Sequence, residues 1–188
     1  MLTTLELRWF NRGTLPAEVE DWFQTDSPGK RLGSPEQRED LYLYTPNCDY
    51  LNIKLRQGNL EVKWRKAKLG VLNLSADWQG NAETWLKWSC QDPSEQSLIP
   101  VDIVGQQPWI SVQKVRSQRL YQEITFELTQ LTVNNHHWWS IAFEVATPKV
   151  NQLDQFERIV SQVAKTYRGS ELLPDQSYAY PHWLSLAV

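Results

Sequence analysis

The stretch Asn52-Ile53-Lys54-Leu55-Arg56-Gln57-Gly58-Asn59-Leu60-Glu61-Val62-Lys63-Trp64-Arg65 decides the fold. Asn52 to Arg56 and Glu61 to Arg65 alternate apolar with polar or charged residues, the pattern of strands with one apolar and one charged face. Gln57-Gly58-Asn59 between them reads as a hairpin turn. Side chains two apart share a face, so Asn52, Lys54 and Arg56 lie together, as do Glu61, Lys63 and Arg65. The same period runs through Thr4 to Trp9 and Glu123 to Thr129. Further strands are predicted at Trp85 to Cys90, Ile110 to Arg116 and Trp138 to Val145, so the chain is mostly antiparallel β. Periodicity leaves open whether Lys87 or Trp88 faces the same way as these charges.

On an open, half-buried sheet the charged faces would simply be solvated. The opposite faces, however, are strongly apolar: Leu5, Leu7 and Trp9; Ile53 and Leu55; Val62 and Trp64; Ile141, Phe143 and Val145. If these pack outward against helices and loops, the charged faces must line the interior of a curved sheet, and a wide barrel can hold a polar lumen. Clustered Lys and Arg there would repel one another unless carboxylates interleave them, and Glu6, Glu61, Glu127 and Glu144 have the parity to do so. The expected architecture is therefore α+β: an antiparallel β barrel or near-barrel with a charged central tunnel and a few flanking helices.

Two segments break the period. Leu15 to Phe23, with Thr14 as N-cap and Pro16 in the first turn, predicts a short helix. Val150 to Tyr167 places Leu153, Phe156, Ile159, Val160, Val163, Ala164 and Tyr167 at helical spacing. The polar stretch Asp26 to Asp40, with Ser27-Pro28-Gly29 and Gly33-Ser34-Pro35, reads as a loop.

Composition limits the function classes. The 188 residues carry 41% hydrophobic and 22% charged residues and a net charge of −3, as expected of a single globular domain spanning 1–188. No apolar run approaches the roughly 20 residues of a membrane helix, so the expectation is no membrane partner and a cytoplasmic location. The acidic total argues against nucleic acid, including stacking platforms for single strands. Cys48 and Cys90 lie far from metal-motif spacing. The pair His136-His137 follows Asn134-Asn135, a hairpin tip, and reads as exposed turn histidines. The glycines form no phosphate loop of the Walker or dinucleotide kind.

The motifs, in order, resemble the CYTH superfamily, the triphosphate tunnel metalloenzymes, which include inorganic triphosphatases, thiamine triphosphatases and class IV adenylyl cyclases. The family's opening E-x-E-x-K is matched by Thr4, Glu6 and Arg8. The landmark Asp40-Leu41-Tyr42-Leu43-Tyr44-Thr45-Pro46 follows, then an R-x-R strand at Lys54 and Arg56 and a T-x-K-x-R-like strand at Glu61, Lys63 and Arg65. A K-x-R strand is matched by Lys114 and Arg116, the E-x-E strand by Ala142 and Glu144, and the closing S-Y-x-x-x-L pattern is similar to Ser177 to Leu184.

The resemblance implies substrate binding by Arg8, Lys54, Arg56, Lys63, Arg65, Lys114 and Arg116. It implies catalytic roles for Glu6 and Glu144, and a divalent cation, Mg²⁺ or Mn²⁺, on Glu6, Glu127 and Glu144. Thr4 and Ala142 replace one glutamate of each expected pair, which removes hard oxygen ligands while the basic half stays nearly intact. The expected partner is an anionic small molecule such as a triphosphate. Two functions are compatible with this: metal-dependent hydrolysis of triphosphate or polyphosphate, with reduced or altered activity, and non-catalytic binding of a phosphorylated or other anionic small molecule.

Overall fold

The computed structural model describes residues 1–90, 108–146 and 152–188. Nine strands occur among them: β1 (Leu2–Arg12), β2 (Lys30–Arg31), β3 (Glu36–Leu43), β4 (Leu51–Arg56), β5 (Asn59–Asn73), β6 (Gln79–Cys90), β7 (Trp109–Tyr121), β8 (Ile124–Val133) and β9 (His136–Ala146). Their order, β3-β4-β5-β6-β1-β9-β8-β7 with β7 pairing back onto β3, closes an antiparallel barrel of eight strands; the short β2 extends the end of β7. Three helices flank it: α1 (Ala17–Asp21), α2 (Gln152–Ala164) and α3 (Tyr180–Ala187). None of the helices among the described residues is long and apolar enough to cross a membrane.

The hairpin that opened the sequence reading is present. Ile53 pairs with Val62 and Lys54 with Glu61, and the turn residues Gln57 and Gly58 both take positive φ (48° and 80°), the primed-turn geometry that matches strand twist. The second tip, Asn134-Asn135, has φ of 48° and 62°, and His136 and His137 beyond it are exposed.

The apolar faces of β1, β8 and β9 pack outward, whereas Ile53, Val62 and Trp64 on β4 and β5 stay half-buried. Leu5, Leu7 and Trp9 of β1, Phe126 of β8 and Phe143 of β9 form one core with Phe156, Ile159, Val160 and Val163 of α2. Inside the barrel, polarity changes at one level along several strands. Arg8 is followed inward-facing by Phe10, Asp40 by Tyr42 and Thr129 by Leu131, and Lys114 is preceded by Val112. The apolar residues join Trp183 and Leu184 of α3 in a second core that fills one end of the barrel. Phe10 stacks on Trp183 at 5.1 Å and on Tyr178 at 5.6 Å. The charged part of the interior is what remains.

Three expectations need correction. The stretch Asp26 to Asp40 is not wholly a loop, because β2 occupies Lys30–Arg31 and β3 begins at Glu36. The outward residues Gln37 and Glu39 are exposed, so that half of β3 lacks the apolar face that betrays a strand. The first helix starts at Ala17 with Pro16, not Thr14, at the N-cap, and runs on as a π-helical turn over Trp22–Asp26. The second is described from Gln152 and ends at Ala164; Val150 lies outside the described residues.

Candidate functional site: a charged cavity inside the barrel

The strands bring six of the seven expected cations, Arg8, Lys54, Arg56, Lys63, Lys114 and Arg116, to one cavity of about 270 Å³. Glu6, Glu127, Glu144 and Ala142 line it too. Arg65 does not. β5 pairs with β6 in unbroken register as far as Arg65, which stands opposite the inward-facing Trp85; the register shifts follow it, between Arg65 and Ala67 and between Lys68 and Gly70. Arg65 instead faces an adjoining pocket, held by Asp49 at 2.8 Å and Glu83 at 3.0 Å.

Two cations that sequence reasoning missed complete the lining: Arg38 of β3 and Lys87 of β6. Lys87 answers the open question of facing, since Trp88 points outward at 44% exposure. Arg38 was hidden by the loop reading, although Glu36, Arg38, Asp40 and Tyr42 keep period two. Among the described residues the wall then carries eight cationic side chains and five carboxylates.

Four carboxylates organise the cations. Asp40, fully buried, sits 3.0 Å from Lys114 Nζ, 3.1 Å from Arg38 Nε, 3.4 Å from Arg56 Nε and 3.8 Å from Lys54 Nζ. Burial works against its charge, but these four cations overcome it and hold the carboxyl far below the usual range. Glu61 takes Lys54 and Lys87 at 3.1 Å each and Arg56 at 3.4 Å, which against burial pulls it down to about 2. Glu127 receives Arg8 at 2.8 Å and Arg116 at 3.5 Å and is likewise lowered to about 2 against burial. Glu6 accepts from Lys63 at 2.8 Å and from the Thr4 hydroxyl.

The register explains one of the reaches that cross an intervening strand. Arg8 of β1 stands opposite Ala142 of β9, and Ala142 stands opposite Glu127 of β8. A methyl at the middle position leaves the lateral path open, so the Arg8 guanidinium spans two strands to reach Glu127. Tyr180 covers this end of the cavity, its ring 4.9 Å from the Arg8 guanidinium and 4.0 Å from Lys114 Nζ. Burial raises the Tyr180 phenol to about 12, so it remains neutral.

The cations are not uniformly satisfied. Burial pushes Lys114 down to about 7 despite Asp40, and it pushes Lys54 well down, with Arg56 and Lys114 adding repulsion. Arg56 touches carboxylates only at 3.4 Å and its Nε makes no hydrogen bond.

As paired, Glu6, Glu127 and Glu144 do not offer a divalent-cation site. Glu127 is taken by two guanidiniums, and Glu6 and Glu144 share the Lys63 ammonium, at 2.8 and 3.6 Å. Mg²⁺ requires near-octahedral oxygen ligation, and no group of three or more metal-ligating side chains is gathered among the described residues.

Comparison with known proteins finds no matching family model and no matching curated protein. Solved structures do match. A conserved hypothetical protein from Pyrococcus furiosus superposes at a TM-score of 0.56 and 12% identity, over 95% of this chain and 98% of that one. The PH1012 protein of Pyrococcus horikoshii aligns at 0.47 and 18%, over 90% and 94% of the two chains. The Pct1 RNA triphosphatase of S. pombe aligns at 0.45 and 17%, over 87% and 76%. At 12% identity the likeness to the Pyrococcus furiosus protein speaks for the fold alone: a closed eight-strand antiparallel barrel with a charged interior and a helical flank.

Proposed function

We propose that the cavity binds a linear oligophosphate, either inorganic tripolyphosphate or the triphosphate chain of a small organic molecule. The observation that carries this reading is the convergence of Arg8, Arg38, Arg56, Lys63 and Arg116 on one walled space, with Arg56 left short of hydrogen-bonding partners. A cleft lined mainly by one sign of charge between low-dielectric walls concentrates counter-ions of the other sign. Phosphoryl oxygens would receive charge-assisted hydrogen bonds from Arg8, Arg38, Arg56, Lys63 and Arg116, while Lys54 and Lys114 lie behind them against Asp40. In this reading Glu6 and Glu144, candidates for catalysis by resemblance, orient Lys63 and leave hydrolysis without an activated water. Binding without turnover is therefore the preferred function.

Calorimetric titration with tripolyphosphate tests it. Arg56→Ala and Arg116→Ala should each weaken binding by about 1–3 kcal/mol, the worth of charge-assisted bonds. Lys68→Ala should change little, because Lys68 is 65% exposed and pairs with Asp49 outside the cavity. Equal losses at all three positions would mean diffuse surface attraction and no defined site.

Lys114 gives the binding a proton signature. With its amine lowered to about 7, most of it is neutral at pH 8, and an anion close by favours the ammonium. Binding at pH 8 should take up protons, read as a dependence of the observed enthalpy on buffer ionisation heat, and Lys114→Met should reduce that uptake. Proton release on binding would contradict this account.

A further inference from the structure

We infer that Lys63 is the resident cation of the tunnel: its ammonium bridges Glu6 and Glu144 in place of a divalent metal ion, so the site takes its oligophosphate as the metal-free anion. The statement about metal stands by itself; the statement about the ligand rests on the function proposed above.

The geometry is specific. Glu6 and Glu144 are direct cross-strand partners on β1 and β9, both facing inward, and Lys63 Nζ lies 2.8 Å from Glu6 Oε1 and 3.6 Å from Glu144 Oε2. An ammonium has three donors; one is spent on Glu6, Glu144 at 3.6 Å is held as an ion pair, and a donor direction is left for a ligand oxygen. The inward neighbours of the two glutamates deny a metal further ligands. Thr4, fully buried and donating its hydroxyl proton to Glu6, brings no carboxylate, and Ala142 has only a methyl. The next acid along the wall, Glu127, already answers Arg8 and Arg116.

Charge points the same way. A divalent ion entering beside Lys63 would set three positive charges against two carboxylates, with the Arg8 guanidinium also acting on Glu6. To make room, Lys63 would have to leave for a wall whose other acids are occupied, Glu61 by Lys54, Arg56 and Lys87, and Glu83 by Arg65. A built-in ammonium costs no binding equilibrium, whereas Mg²⁺ must first shed water. An oligophosphate that arrives wrapped around Mg²⁺ would present that ion to Lys63 and meet repulsion. The tunnel thus discriminates between free oligophosphates and their magnesium complexes.

Two measurements on the full chain decide the matter. Mn²⁺ titration followed by electron paramagnetic resonance should show no site on the wild type at submillimolar metal. Lys63→Ala, or Lys63→Gln if the alanine variant folds poorly, should create one Mn²⁺ site that disappears when Glu6→Gln is added. Wild-type Mn²⁺ binding that is lost in Glu6→Gln would overturn the assignment without recourse to any Lys63 variant. So would a folded Lys63 variant that gains no site. In the second measurement, wild-type affinity for tripolyphosphate should be highest in EDTA and fall at least threefold with saturating Mg²⁺. A Mg²⁺ requirement would overturn the inference. Complete failure of tripolyphosphate to bind would instead remove the proposed function and the ligand clause, while the Mn²⁺ result still judged Lys63.

Discussion

Asp40→Ala is expected to destabilise the protein by about 3–5 kcal/mol, the cost of removing one partner from a buried ionic network. Asp40 has no exposed surface, and four cations on three strands converge on it: Arg38 of its own strand, Lys54 and Arg56 of β4, and Lys114 of β7. Without it, among the described residues, Arg38 keeps only Glu36 and Arg56 keeps only Glu61 as carboxylate partners. Guanidiniums cannot shed the strain by deprotonating, but the two lysines can, so the loss should shrink as pH rises. Asp40→Asn preserves shape and removes charge; near-equal losses in the two variants, by urea unfolding, would assign the effect to charge. If the cavity binds oligophosphate, tripolyphosphate should raise the melting temperature of either variant more than that of the wild type, because an anion then supplies what the carboxylate did. A variant of wild-type stability would show that Asp40 is a bystander.

Asp40 also marks the boundary of what could be read from sequence. Strands and parity follow from strict alternation, since Leu5, Leu7 and Trp9 need an apolar partner on one side of β1, and closure of the sheet then turns Glu6 and Arg8 on the other side into the wall of a polar lumen. Where both faces are polar the signal vanishes, which is why Glu36 to Asp40 read as loop and why Arg38 was missed. Arg65 failed for another reason. It keeps the inward parity, opposite Trp85 of the cavity wall, but its ion pairs with Asp49 and Glu83 hold the guanidinium in the adjoining pocket, and periodicity does not announce such pairs. Pairing among charges lies beyond periodicity altogether: Glu6, Glu127 and Glu144 share the inward face, but only the register reveals that Ala142 lets Arg8 claim Glu127 and that Lys63 falls between the other two.

The same network should give the protein a steep acid limb and an unusually alkaline optimum. Asp40, Glu6, Glu61 and Glu127 all have folded-state pKa values held below their unfolded ones, Glu61 and Glu127 at about 2. A depressed carboxyl stabilises the fold fully above its unfolded value, near 4, and that contribution is lost as pH falls through the folded value. A shift of this size is worth on the order of 2–3 kcal/mol per group, and a domain of this kind has about 5–15 kcal/mol in all. Unfolding between pH 4 and pH 2 is therefore expected, with Glu83, which burial raises, opposing it. Lys114 acts with the other sign. Its folded value of about 7 lies below its unfolded one, so between about pH 7 and 10 the unfolded chain binds more protons and stability rises with pH. Lys54, also lowered, adds to this rise until the buried phenols Tyr42 and Tyr180 come under pressure to ionise. Urea midpoints measured from pH 2 to 10 should climb steeply between 2 and 4 and continue upward past 7. Glu127→Gln should flatten the first climb and Lys114→Met the second. A curve already level at pH 3, or one that declines from pH 7 to 9, would mean that the charges lining the cavity are solvated and that the barrel interior is wetter than its geometry implies.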